Sequence, residues 1–106
     1  MIVEVADFKI RPEDKEAFCE ALQRGVRDVL SKARGYRRHS VLTCRETAGR
    51  VLLLVDWATV EDHTVGFRES PAFGKWRAIV GPFFVDAPHV EHFDEASLEG
   101  EAGDGD

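Results

Sequence analysis

The run Val51-Leu-Leu-Leu-Val55 is apolar at every position, so a strand built from it buries side chains on both faces. A sheet containing such a strand needs cover on both sides. Trp57 closes the run, Thr59 follows as a helix cap, and a helical segment then brings His63 and Phe67 to one side. A second helical piece opens at Ser70-Pro71, a pairing that suits an N-cap followed by proline in the first turn. It carries Phe73, Trp76, Arg77 and Val80. Residues 51–76 thus pass from one buried strand to helices whose Trp, His, Phe and Arg side chains are spaced to line a single pocket.

The flanking segments supply the remaining elements. Ile2 to Ile10 is rich in β-branched and aromatic residues and stops at Arg11-Pro12, which reads as a strand. Alternation places Val3, Val5 and Asp7 on one face and Ile2, Glu4, Ala6, Phe8 and Ile10 on the other. Pro12 with Glu13, Asp14 and Glu16 suits a helix start. Phe18, Leu22, Val26, Val29, Leu30 and Ala33 keep helical spacing up to Gly35, a natural stop. Gly25 inside that helix costs roughly 1 kcal/mol relative to alanine, and its use there is close packing, with the sheet as the expected neighbour. Tyr36 to Arg45 is a second strand, with Tyr36, Arg38, Ser40, Leu42 and Cys44 on one face and Arg37, His39, Val41, Thr43 and Arg45 on the other. Residues 46–50 form a hairpin turn. Gly81-Pro82 ends the last helix, and His89 to Phe93 is a short final strand.

The order β-α-β-β-α-β is the ferredoxin-like arrangement, an α+β fold with a four-stranded antiparallel sheet and both helices on one face. Its other face would be left in water, where the outward residues of Val51–Val55 would form an apolar patch of the kind that marks interfaces. A two-fold homodimer with the sheets face to face covers it.

A chain of 106 residues has room for one domain, here residues 1–95, followed by an acidic tail at 96–106 expected to be disordered. Net charge is −6, the wrong sign for a nucleic-acid footprint. Much of it sits in Glu99, Glu101, Asp104 and Asp106, so it says little about the ligand of the folded body. The beginning, MIVEVADF, lacks the basic start of a secretory signal, and no apolar stretch approaches the length of a membrane span. Cys19 and Cys44 are too few for a disulfide framework, which fits a reducing, cytoplasmic setting.

Several candidate chemistries drop out on spacing. His89 and His92 are three apart, an odd offset that sends strand side chains to opposite faces; no other metal-ligand pattern occurs, so no metal is expected. There is no glycine-rich phosphate loop and no nucleophile elbow; neither Cys19 nor Cys44 has a base nearby in sequence. His63 stands out because Val60, Phe67 and Trp57 surround it in sequence. It is either a helix-face histidine bonded locally or a general base in a cavity, with a pKa set near neutrality. Trp76 reads first as a core residue, whereas Trp57 at the end of a strand can also stack on an aromatic ligand. Arg77 either covers the helix surface or reaches into the pocket to bind an anionic oxygen; Arg68 has the same two roles, with the surface favoured.

The combination of Val51 to Trp57, His63, Phe67-Arg68, Ser70-x-Ala-Phe73, Trp76-Arg77 and Val90-Glu-His-Phe93 resembles the antibiotic biosynthesis monooxygenase superfamily from Ile2 to about Asp94. The resemblance implies a dimeric ferredoxin-like α+β barrel and, by the best-understood relatives, oxidation of phenols or quinols by O₂ without metal or organic cofactor. By position Trp57 matches the tryptophan that ends the third strand in the polyketide-phenol oxygenases, and Arg77 matches a pocket arginine. His63 falls where those enzymes place a tyrosine, and Leu53 where they place an asparagine. These departures point towards a smaller, hydroquinone-like substrate. The haem-degrading branch is disfavoured, because Ala6-Asp7 and Trp76-Arg77 stand where its asparagine and axial histidine are needed.

The expected protein is therefore a cofactor-independent monooxygenase acting on a small aromatic phenol or quinol. His63, Trp57 and Arg77 serve as base, stacking wall and oxyanion partner, and Phe67, Phe73 and Trp76 line the substrate pocket. The rivals are a non-catalytic dimeric binding or stress-response module of the same fold and an O₂-independent isomerase. A cavity filled by Phe67, Phe73 and Trp76 favours the binding module; an open pocket touching both His63 and Arg77 favours an enzyme.

Overall fold

Strand β1 (Ile2–Lys9) separates the two layers of the molecule. Glu4, Ala6 and Phe8 are buried on one face, and Val3, Val5 and Asp7 are half-buried on the other, as alternation along a pleated strand requires. Helix α1 (Lys15–Asp28), strands β2 (Tyr36–Thr43) and β3 (Arg50–Trp57), helix α2 (Pro71–Val80) and strand β4 (His89–Asp94) follow. All strand pairs are antiparallel, in the order β2-β3-β1-β4. This is the expected ferredoxin-like α+β fold. It is seen in a computed structural model that describes residues 1–96 and Gly100; the expectation of a disordered tail falls almost wholly outside those residues.

The core lies between the sheet and the helices. Val51, Leu53, Val55 and Trp57 of β3 are almost fully buried there with Phe18, Leu22 and Val26 of α1 and Val80 of α2. Burying each such large apolar side chain contributes roughly 1.5–3 kcal/mol. On the opposite face the intervening Leu52 and Leu54 are half-buried beside Val3 and Val5, and Leu42 and Phe93 are 50% and 49% exposed. Two ion pairs, Asp7–Arg50 and Arg38–Asp56, flank this apolar stripe. Among the described residues no helix is long and apolar enough to cross a membrane.

Four local departures from the expected pattern shape the site. Helix α1 ends at Asp28 and the chain tightens into a 3₁₀ turn at Leu30–Lys32, which drops Leu30 into the core. Gly35 is therefore not the helix stop. At φ +88° it opens β2, and the Asp62 carboxylate fills the space that a Cβ would need; only glycine combines that dihedral with that approach. Gly25 does serve close packing, but its neighbour is the Trp76 ring, 3.0 Å from where a Cβ would sit, rather than the sheet. Finally, a register shift between Tyr36 and Arg38 turns Tyr36 to the helix side, where its hydroxyl bonds His39 Nδ1 at 2.8 Å. Simple alternation had placed Tyr36 with Arg38; a bulge adds one residue and reverses the facing.

Candidate active site

Between Trp57 and α2 the chain forms a π-helical segment, Asp62–Phe67, rather than an ordinary α-helix. Thr59 caps its approach, its hydroxyl accepting from the Asp62 N–H at 3.1 Å, as the sequence led one to expect. The wider turn shows in the Arg68 N–H, which donates to His63 O at 2.9 Å. π-Helical insertions recur at functional sites because they re-aim side chains that a regular helix would point elsewhere. Here both His63 and Phe67 are directed into the interior, 4% and 2% exposed. Ser70 stands at the N-cap position of α2, but its hydroxyl donates backwards to Phe67 O at 2.7 Å instead of capping the helix. That bond joins the end of the π-helical turn to the start of α2.

His63 meets a second buried polar residue that the sequence reading had not singled out. Glu4 of β1 is 6% exposed, and its Oε1 lies 3.4 Å from His63 Nε2. The same oxygen accepts the Trp57 indole N–H at 2.9 Å. On its other edge, His63 Nδ1 lies 2.7 Å from Nε2 of His92 on β4, a bond that forms with the proton on either nitrogen. The four side chains stand in line, Trp57–Glu4–His63–His92, hydrogen-bonded at both ends and joined in the middle by the 3.4 Å Glu4–His63 contact. The Trp57 and His63 rings stack, with centroids 5.1 Å apart and planes at 24°.

Burial decides the protonation of this chain. It pushes the Glu4 carboxyl up to about 7, overriding the Trp57 hydrogen bond and the nearby Arg68 charge, both of which favour the carboxylate. It pushes His63 down to about 4, with Arg68 and His92 acting in the same direction. His92 is lowered too, by burial first and then by Arg68. Below about pH 7 the Glu4–His63 contact is therefore a neutral acid beside a neutral imidazole and not a salt bridge; desolvating both charges costs more than their attraction returns. The near-neutral titration expected of His63 is instead a property of Glu4.

A cavity of about 280 Å³ opens beside the pair. Of the residues singled out in the sequence, His63, Phe67, Phe73, Trp76 and Arg77 all line it, as does Arg68. Glu4 lines it as well, with Ala6, Phe8, Leu53, Phe84 and Val90 completing the apolar wall. Phe67 packs edge-on against both Phe73 and Trp76, so these rings shape the wall without filling the space. Trp57 is the exception. It is fully buried and lies behind His63, so it is not a stacking wall for a ligand but a support for the imidazole. Among the described residues neither Arg68 nor Arg77 makes an ion pair, which leaves two exposed guanidinium groups on a mostly apolar cavity. No cluster of three or more His, Cys, Asp or Glu side chains among those residues is arranged to hold a metal ion; Glu4 and His92 approach opposite nitrogens of His63.

The signal for Glu4 was present in the sequence: it shares a strand face with Ile2, Ala6, Phe8 and Ile10. Charged residues on such a face are almost never fully buried unless paired. His92 carried a weaker one. The odd offset from His89 does send the two histidines to opposite faces, and the face given to His92 is the one that holds Glu4, its direct partner across the β1–β4 pairing.

Comparison with known proteins fits this geometry. The sequence profile of the family described as antibiotic biosynthesis monooxygenase matches residues 1–79. The uncharacterised Bacillus subtilis protein YczJ is 37% identical over 95 residues, covering 90% of this chain and 99% of that protein. The crystal structure of a Bordetella bronchiseptica protein carrying the same family designation superposes with a TM-score of 0.84 at 32% identity, over 90% of this chain and 96% of the other. The fold is shared as well by the Streptomyces coelicolor monooxygenase from the gene ActVA-Orf6, solved with nanaomycin D, at a TM-score of 0.80 and 15% identity over 95% and 92% of the two chains. By its sequence, and with a fold to match, the chain belongs to the antibiotic biosynthesis monooxygenase family.

Proposed function

We propose that this protein is a cofactor-independent monooxygenase that oxidises a small aromatic phenol or quinol with O₂. The observation that carries the reading is the aromatic-walled cavity, which touches both His63 and Arg77. In the reaction a hydroquinone and O₂ give a hydroxyquinone and water, with the ring supplying all the electrons. The substrate hydroxyl gives up its proton to the Glu4–His63 pair, and the electron-rich phenolate passes an electron to O₂. Recombination of the resulting radicals forms the new C–O bond. Neutral His63 orients the hydroxyl, Arg77 holds the developing phenolate oxygen, and Phe67, Phe73 and Trp76 exclude water from the ring. Trp57 acts through His63 by holding its imidazole in place. A dry cavity of roughly 150 Å³ accommodates a benzene ring, so a cavity of about 280 Å³ suits one or two rings better than a larger polycycle.

The working unit is a homodimer formed through the open sheet face. Leu52, Leu54, Leu42 and Phe93 supply an apolar stripe for a second copy to cover. Sedimentation as a monomer at micromolar concentration would contradict this. The buried acid–imidazole pair also favours a second reading, an isomerase that moves a proton between positions of a small keto compound without O₂.

The experiment is O₂ uptake by metal-stripped protein with hydroquinones, naphthols and anthrols, beside the His63→Ala variant. Uptake above autoxidation, falling by roughly 10²-fold in the variant and favouring one- and two-ring substrates, is the expected result. Uptake unchanged in the variant removes His63 from the mechanism. No uptake with any compound moves the reading to the isomerase or to a binding protein.

A further inference from the structure

We infer that Glu4 is the residue that exchanges a proton with the ligand in the cavity, and that His63 and His92 carry that proton between Glu4 and solvent. The inference rests on the proposed function for what the ligand is, but its geometry stands apart from it. Glu4 lines the cavity, whereas His92 does not and is only half-buried at the edge strand β4. His63 bridges the two, with one ring nitrogen 3.4 Å from Glu4 Oε1 and the other 2.7 Å from His92 Nε2. Among the described residues, Glu4 and His92 are the polar side chains that His63 contacts.

The transfer balances at each atom. The ligand hydroxyl loses its proton to a Glu4 oxygen, and Glu4 Oε1–H donates to His63 Nε2. His63 Nδ1–H passes to His92 Nε2, and His92 Nδ1–H is released to water. Each imidazole starts and ends with one N–H, and the reverse passage, when water is formed from O₂, restores the starting tautomers. The 3.4 Å step has to close by about 0.5 Å to become a good hydrogen bond, and contacts of this kind tighten when a ligand is bound. The charged and polar groups facing Glu4 fit a carboxyl that cycles. Trp57 donates to it from β3 in either state, and Arg68, at the end of the π-helical turn, favours its ionised form. Arg77 of α2 shares the cavity and is free to hold the deprotonated ligand. Burial sets the Glu4 midpoint at about 7, where a group that must both take and return a proton works best.

The Trp57 indole N–H reports on Glu4 directly, so the test does not depend on turnover. In ¹H–¹⁵N spectra of the full chain, the Trp57 Nε1–H signal should titrate with a midpoint near 7, and the His92 ring signals should move in the same step. Both responses should vanish in Glu4→Gln. A Trp57 midpoint in the ordinary carboxylate range, or a His92 ring that ignores the step, overturns the relay even if no substrate is ever found. With an oxidisable quinol, Glu4→Gln should lose about 10²-fold or more in kcat. His92→Ala should lose less, with KM unchanged, and added imidazole should restore its rate. Full activity in Glu4→Gln overturns the assignment, and so does a His92→Ala defect that imidazole leaves untouched. An intact coupled titration in a protein that consumes no O₂ would spare the relay and sink the oxygenase reading instead.

Discussion

Two acids three positions apart on one strand meet opposite fates. Asp7 faces the open side of the sheet, where Arg50 grips it with hydrogen bonds of 2.8–3.2 Å and its side chain keeps 28% of its exposure. Glu4 faces the helices, finds an indole N–H and an imidazole but no paired cation, and is driven towards its neutral form. Residue chemistry barely differs between them. What differs is whether water remains to solvate a charge. The open face tolerates ions because it is half wet, and the covered face turns a carboxylate into a proton reservoir. The histidines of β4 repeat the lesson, since His89 pairs with Glu91 in the open while His92 joins the buried chain.

The contrast predicts effects of very different size on the two faces. Trp57→Ala should be the most damaging change, costing about 3–5 kcal/mol, because it opens a void in the core and leaves Glu4 without its donor. A loss in chemical denaturation of no more than 1 kcal/mol would mean that the covered face is far less tightly built than described.

Glu4→Gln should act mainly on the pH dependence of stability. The folded state holds the Glu4 proton more tightly than the unfolded chain between pH 4.5 and about 7, so this group makes stability fall as pH rises through that window. His63 does the opposite. Its folded midpoint of about 4 lies below the ordinary 6.5, so its contribution is complete above 6.5 and is lost as pH falls towards 4. In the native protein the two slopes nearly offset each other between pH 4.5 and 6.5. With Glu4 removed, the His63 slope stands alone, and the variant should gain stability as pH rises across that interval. Urea melts over this range check it; a variant whose profile parallels the native one would show that Glu4 does not bind an extra proton when folded.

Asp7→Asn should matter least. An exposed ion pair contributes about 0–1 kcal/mol and is screened by salt, so the loss should be small and should shrink further at high ionic strength. A salt-insensitive loss well above that would mean that the dimer interface reaches past the apolar stripe and buries the Asp7–Arg50 pair at its edge.

Much of this architecture was legible in advance. The β-α-β-β-α-β order, the burial of the core-facing side of β3 and the cap at Thr59 are local patterns, carried by residues a few positions apart. The pocket side chains His63, Phe67, Phe73, Trp76 and Arg77 were legible for the same reason, since all lie within fifteen residues of one another. The departures came where a local rule has two solutions of similar energy. A single bulge turned Tyr36 over, and an i+5 hydrogen bond replaced i+4 around His63.

What the chain alone determined is which faces are apolar and that an acid, Glu4, sits on one of them. Only the tertiary structure decided what that acid does. Its partners come from 53 residues away in Trp57 and from the π-helical turn, and His63 in turn meets His92 from 29 residues away. A pKa depends on how much water the fold removes and which charges remain within a few ångströms. Neither quantity exists until the strands are paired and the helices are laid across them.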